Sequence, residues 1–228
     1  YSMKEISFLY FLDLLVAFFF GPLLGNYGDV YGRKVLSSFY FILTGADMVL
    51  KIIGNHIGIY ISTVLNGFTT VLIHNAFESW VNFESKTIIS DHNERMVFLK
   101  KLFKDTYVWD SIASLICSVI SLVLYNYGGV TYPLWGCTIT SGIGYALIMK
   151  LWKETSMLRE NHSFTQVYEA IKLELGKREV WTLGVMEAFV YCILIVYIFI
   201  WTPLLIETNQ EANVGFAFLC YTLSIIIF

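Results

Sequence analysis

Long apolar runs broken by short polar links dominate this chain. Seven can be marked, at about residues 6 to 26, 35 to 53, 57 to 81, 106 to 126, 131 to 152, 181 to 206, and from 214 to the last residue. A bilayer core of roughly 30 Å takes about 20 helical residues at about 1.5 Å each, and every run but the last meets that length. The pattern predicts an all-α, polytopic transmembrane helix bundle. The last run, GFAFLCYTLSIIIF, stops in mid-helix, and the chain opens on Tyr1 with no signal-peptide pattern ahead of the first run. The chain is therefore read as incomplete at both ends, with a complete seven-helix protein as the rival reading.

Composition sharpens this. Hydrophobic residues make up 57% and charged residues 14%, with a mean hydropathy of +0.63, whereas charged residues alone are about a quarter of an average soluble domain. The expectation is an integral, multi-pass protein of the plasma membrane or an organelle membrane, surrounded by lipid. Nucleic acid is not an expected partner. The net charge of −3 says little, because in such proteins the placement of Lys and Arg carries the information. Arg33 and Lys34 follow the first run. Lys86, Arg95, Lys100, Lys101 and Lys104 follow the third, and Lys150, Lys153, Arg159, Lys172, Lys177 and Arg178 follow the fifth. The alternate links hold only Lys4 and Lys51, so thirteen of the fifteen basic residues mark one side. That side is cytoplasmic, and the start of the chain is outside.

The organisation that follows is an N-terminal transmembrane half over 1–152, a cytoplasmic connector over 153–179, and the start of a C-terminal half over 180–228. Within the connector, FTQVYEAIKLEL carries Phe164, Val167, Ile171 and Leu175 at helical spacing, which predicts an amphipathic helix along the membrane surface. Asn161-His162-Ser163 is a formal glycosylation sequon, but this topology keeps it in the cytoplasm and unmodified. Cys117, Cys137, Cys192 and Cys220 fall inside predicted spans without paired spacing, so they read as small apolar residues. The histidines show no ligand spacing, and no nucleophile elbow, phosphate loop or zinc motif occurs. No enzyme, cofactor or metal site is expected.

One polar link stands out. GNYGDVYGRKVL, residues 25 to 36, packs glycines and charges between two apolar runs. Glycines there serve a sharp turn or a close approach, Asp29 suits a helix N-terminus, and Arg33 and Lys34 meet the cytoplasmic interface. The combination resembles the signature loop between the second and third helices of the major facilitator superfamily, Gly-x-Leu-Ala-Asp-Arg-x-Gly-Arg-Arg/Lys. Gly25, Asp29, Gly32, Arg33 and Lys34 match it, Gly28 replaces the usual Ala, and Val30 stands where that superfamily has Arg. The resemblance implies a conformational latch on the cytoplasmic side, and it makes residues 6 to 26 the second helix of that fold. The chain then runs from helix two into helix eight.

A closer resemblance is to the molybdate-anion transporter family within that superfamily. NAFESWVNFES, Asn75 to Ser85, is similar to its Ala-Phe-Glu-Ser/Ala-Trp motif in helix four. Trp152-Lys153-Glu154 resembles its Trp-x-Glu-Asn, FIWTPLL from Phe199 to Leu205 resembles its Leu-Trp-Thr-Pro, and Trp109 falls where it has a Trp early in helix five. Two departures occur. Ser62-Thr63-Val64-Leu65-Asn66-Gly67 replaces Gly-Arg-x-x-Gly-Gly, so the intramembrane Arg is absent, and Val190-Tyr191-Cys192 replaces a Phe-Glu-Ser, with Glu187 one turn earlier. The resemblance implies a secondary active transporter of a small anion, molybdate, working by alternating access. A carrier of another solute (sugar, organic acid or drug) and a non-transporting scaffold or sensor are the alternatives.

Polar residues inside the spans are the candidate site, because a charge at mid-membrane costs several kcal/mol and tends to be kept for a task. They are Asp13, Asp47, His74, Asn75, Glu78, Asp110 and Glu187. His74 and Glu78 share a helical face, and Asn75 and Asn66 are near in angle. Interhelical hydrogen bonding is the competing account of His74 and the asparagines. Thr63, Asn66 and Asn75 are candidate donors to an oxyanion, and Glu78, with His74 nearby, is the candidate for coupling a proton to transport. Asp110 is expected near a helix N-terminus, Asp13 and Asp47 show no partner in the sequence, and Trp80, Trp109, Trp152 and Trp201 fit an aromatic belt.

Overall fold

The computed structural model describes residues 1–152, 172 and 176–208. Six helices occupy them: α1 (Met3–Tyr31), α2 (Arg33–Ile53), α3 (His56–Ile88), α4 (His92–Gly128), α5 (Thr131–Leu151) and α6 (Arg178–Thr208). No strand occurs among the described residues. Five of these helices, α2 to α6, contain stretches long and apolar enough to cross a membrane. The α1 helix, 29 residues long, contains the first apolar run. The seventh run, the amphipathic segment of the connector, the sequon and Cys220 lie outside the described residues.

The helices begin and end where the local chemistry demands. Ser2 caps α1 with a full capping box, its hydroxyl accepting from Glu5 N–H while the Glu5 carboxylate accepts from Ser2 N–H. Asn55 caps α3 by accepting from Gly58 N–H, and Asp91 caps α4 by accepting from the amides of Asn93 and Glu94. Gly54, at φ 70°, closes α2 in the left-handed conformation.

Two expected links are not loops. The segment around GNYGDVYGRKVL holds a single non-helical residue, Gly32 at φ 101°. Gly25, Gly28 and Asp29 are helical positions of α1, and Arg33 and Lys34 open α2. Positive φ is needed at one glycine alone, while Gly28 serves close approach, since a Cβ there would lie 2.8 Å from Leu36. The N-cap position of α2 is held by Gly32, while Asp29 is a backbone position within α1. Likewise the basic stretch after the third run is helical, because α3 continues to Ile88 and α4 starts at His92. Asp110 therefore lies deep inside α4 rather than at its N-terminus, and Asp91 takes that capping role.

The chain divides into two compact units, Tyr1–Glu160 and Asn161–Phe228. In the first, α3 packs against α1, α2 and α4, and α5 packs against α2 and α4. Its apolar core is small, built on Leu36, Leu72 and Ala76 with Leu24, Tyr40, Leu43 and Phe77 around them. Small and polar side chains (Ser37, Ser62, Ser85, Ser118, Ser141 and Thr69) are buried, while Phe18, Ile57 and Val97 are more than 70% exposed. Such a distribution would be a liability in water but suits lipid, where small residues let helices approach and large apolar ones face the tails. In the second unit, α6 presents an apolar face of Cys192, Ile193, Val196, Tyr197, Ile200 and Leu204.

Candidate functional site

Two polar joints tie the first unit, one near each end of its helices. One joint, called outer for the side to which the pattern of basic residues assigns it, starts from Asp47 of α2, which is 1% exposed. Lys51, one turn later on the same helix, reaches it with Nζ–Oδ2 at 2.8 Å, and the Ser62 hydroxyl of α3 donates to its other oxygen. Asp47 and Ser62 each sit six residues from the outer end of their helix, about 9 Å in. About 6 Å deeper, Asn66 of α3 donates from Nδ2 to Asp13 of α1 at 3.1 Å. Asp47 and Lys51 both lie within electrostatic reach of Asp13. Helix contact at this level is direct: a Cβ on Gly67 would stand 2.7 Å from the Asp13 carbonyl oxygen and 2.8 Å from Val16 Cβ. Only glycine allows α1 and α3 to meet so closely.

The joint at the opposite helix ends, called cytoplasmic because the same pattern of basic residues assigns it there, uses other chemistry. Arg33, first residue of α2, donates to the Ser79 carbonyl of α3 and lies 5.2 Å from the Phe83 ring centroid, a cation–π distance. Lys34 donates to the Met149 carbonyl in the last turn of α5 at 3.2 Å, where a cation meets the negative end of the helix dipole. Beneath them, Tyr40 and Phe41 of α2, Phe77 and Trp80 of α3, and Trp152 at the end of α5 form a ring cluster, with Trp80 and Trp152 centroids 4.3 Å apart. Phe41 also fills the space beside Gly144 of α5.

The sequence-predicted site residues distribute unevenly over this frame. Asn66 belongs to the outer joint. Thr63 spends its hydroxyl on the Ile59 carbonyl, 2.9 Å away on its own helix. Glu78 is exposed on α3. The side chains of His74, Asn75, Glu187 and Asp29 fall outside the described part of the structure, although their backbones lie in α3, α6 and α1. Gly32, Arg33 and Lys34 form the hinge and its two basic contacts. Trp80 and Trp152 pack on each other, so they are more than interface anchors, whereas Trp109 is 69% exposed. Sequence reasoning left Asp13 and Asp47 without partners. The spacing of Asp47 and Lys51 was a readable signal for one of them; the pairing of Asp13 with Asn66, 53 residues apart, had none.

Helices of membrane-crossing length, small and polar buried contacts, and apolar outer faces define an integral, multi-pass membrane protein of the helical-bundle class. The chain belongs to the MFS_5 family, described as sugar transporters with 12 TM, one of the major facilitator transporter families; the family's model matches residues 1–228. Among curated proteins, it is 22% identical over 216 residues to the molybdate-anion transporter of Xenopus tropicalis, covering 93% of this chain and 47% of that one. It is also 22% identical over 189 residues to the molybdate-anion transporter of Xenopus laevis, covering 82% and 41%. The chain thus spans about half the length of these relatives. No solved structure matches it.

Proposed function

We propose that this chain is part of a secondary transporter that carries a small anion, of the molybdate class, by alternating access. The observation that carries the reading is the pair of joints. Together they fasten α2 and α3 at both ends, with α1 held at one end and α5 at the other, as a transporter half needs if it is to rock as one body against the other. The anion is taken from the relatives' names. In this reading Glu78 and His74, with Asn75, Asn66 and Thr63 on α3 and Glu187 on α6, serve substrate binding or proton coupling. Gly25, Gly28, Asp29, Gly32, Arg33 and Lys34 form the cytoplasmic latch.

A second reading has a specific observation behind it. The outer joint holds two carboxylates against one ammonium, an excess of negative charge that does not help an anion enter. An uncharged solute such as a sugar fits that balance better, and the family description names sugar transporters. Labelled-molybdate uptake by the full-length protein, in cells lacking their own uptake, separates the two. Saturable uptake that tungstate competes for and sugars do not supports the anion carrier. Saturable sugar uptake without molybdate uptake supports the second. Neither, from a protein shown to be folded in the membrane, would discard both in favour of a scaffold or sensor.

A further inference from the structure

The outer joint is out of balance. Asp47 has a cation at 2.8 Å and a hydroxyl donor besides. Asp13, half-buried, has a neutral amide at 3.1 Å. Among the described residues, the charged groups that face Asp13 are Lys51 and Asp47, both from α2, and α3 presents the uncharged Asn66. With Lys51 and Asp47 cancelling one another, one negative charge is left uncompensated among the described residues of three packed helices, about 15 Å from the outer end of α1. A charge at that depth costs several kcal/mol unless something neutralises it.

A proton is the ligand of the right size. Gly67 and Val16 crowd the Asp13 backbone, and among the described residues the carboxylate's polar partner is the Asn66 amide donor, which does not supply the several oxygen ligands that a metal cation needs. Binding a proton turns the Asp13 carboxylate into a carboxylic acid, makes the joint neutral, and retains the Asn66 hydrogen bond, because the acid's carbonyl oxygen still accepts. Releasing it restores the net charge. Asn66 and Glu78 are twelve residues apart on α3, so this position lies about 18 Å along the helix from Glu78, toward the outer face.

We infer that Asp13, held by Asn66 at the α1–α3 contact, is a proton-binding site of the outer half, separate from Glu78. The inference supplies a coupling group for the carrier proposed above and to that extent rests on that reading. Its test reads the proton itself, so the two can fail independently.

The experiment is infrared difference spectroscopy of the reconstituted full-length protein across a pH series, with and without substrate. A buried carboxyl that binds a proton gives a carbonyl stretch that the carboxylate lacks. The expected result is such a band in the wild type that disappears in Asp13→Asn and persists in Glu78→Gln. A band unchanged in Asp13→Asn overturns the inference, as does a wild type with no titrating band or with one abolished by sodium at constant pH. Should Asp13→Asn fail to fold, Asn66→Ala decides. Loss of the amide donor removes a hydrogen bond that the carboxylate accepts more strongly than the neutral acid does, so the midpoint of the band moves. An unmoved midpoint assigns the band elsewhere. Transport that continues without the Asp13 band would sink this inference alone, and a titrating band in a protein that transports nothing would sink the transport reading alone.

Discussion

The two joints of the N-terminal unit do the same mechanical job with opposite chemistry. At the outer joint, α1, α2 and α3 are tied by carboxylates deep in the bundle, one paired with a lysine and one with an amide. At the cytoplasmic joint, α2, α3 and α5 are tied by basic side chains on backbone carbonyls over a cluster of aromatic rings. Depth accounts for the difference. A residue such as Lys34 at a helix end can exchange its carbonyl partner for water or a lipid headgroup at little cost, so a contact there can open and close. Asp47, almost wholly buried, has no such exchange available. The outer joint therefore responds to loss of a partner, whereas the inner one responds to the shape and position of the helices.

Breaking the outer ion pair should have the largest effect, and it should be asymmetric. Lys51→Met leaves the Asp47 carboxylate buried with a hydroxyl alone, which should cost about 3 kcal/mol or more. Asp47→Asn leaves Lys51, whose side chain is 34% exposed near the outer end of α2, free to extend toward the interface, and should cost about 1 kcal/mol. Unfolding of the full-length protein in detergent by heat or by SDS measures both. Equal losses would mean that the carboxylate is less confined than its burial indicates.

Next in size come two glycines, one per joint. Gly67→Ala sets a methyl group against the Asp13 carbonyl oxygen and Val16, backbone that cannot step aside, and should cost about 2 to 3 kcal/mol by forcing α1 from α3. Gly144→Ala meets the ring of Phe41, half-buried and able to turn, and should cost about 1 kcal/mol. The same unfolding experiment ranks them. A reversed order would make the inner aromatic cluster the more rigid of the two joints.

What the sequence disclosed follows the same division. The apolar runs announced the helices, because crossing a bilayer needs length and hydrophobicity that no other role demands. Helix ends were less legible. Polar residues such as Lys100 and Glu94 are good helix formers, so the basic stretch after the third run continues into α4, and its start depends on Asp91 alone. The glycine-rich link likewise reads as a loop until packing shows that only Gly32 leaves the helical region. At the cytoplasmic joint, Arg33 and Lys34 were visible as motif residues. At the outer joint, a pairing such as Asp13 with Asn66 is a fact of tertiary packing, and no local pattern encodes it. The candidate cluster around Glu78 was read from helical periodicity, which sets a shared face and leaves open what that face meets.

The cytoplasmic joint supplies a smaller prediction. Lys34→Ala removes a cation from the last turn of α5 and should cost about 0.5 to 1 kcal/mol. Arg33→Lys keeps the charge but not the planar group that lies over Phe83 and reaches the Ser79 carbonyl, so it should behave more like Arg33→Ala than like wild type. Cysteine pairs placed across the ends of α2 and α5 report the opening through cross-linking rate. Lys34→Ala should slow cross-linking, and a rate equal to wild type would show that the aromatic cluster alone sets that distance.

The smallest effect lies where neither joint reaches, at the first turn of α1. Glu5, just ahead of the first apolar run, is held below the usual carboxylate range by its hydrogen bonds from the Ser2 backbone amide and then from the Ser2 hydroxyl. Because its folded value is depressed, the capping box contributes in full above the ordinary carboxylate value and is lost as pH falls through the lowered one. Hydrogen exchange at the amides of Glu5 and Ile6, normalised for the intrinsic rate, should therefore stay flat through neutral and mildly acidic pH and rise only below the ordinary glutamate range. Ser2→Ala should raise that exchange by a few-fold at neutral pH and move the acid-side rise part of the way to higher pH, since the hydroxyl is then gone while the backbone amide at position 2 still donates to Glu5. Neither treatment should alter exchange at Asp13 or beyond, ten residues into the helix. A change there would mean that the cap and the outer joint are coupled along α1, and the contrast between an exposed helix end and a buried polar joint would have to be redrawn.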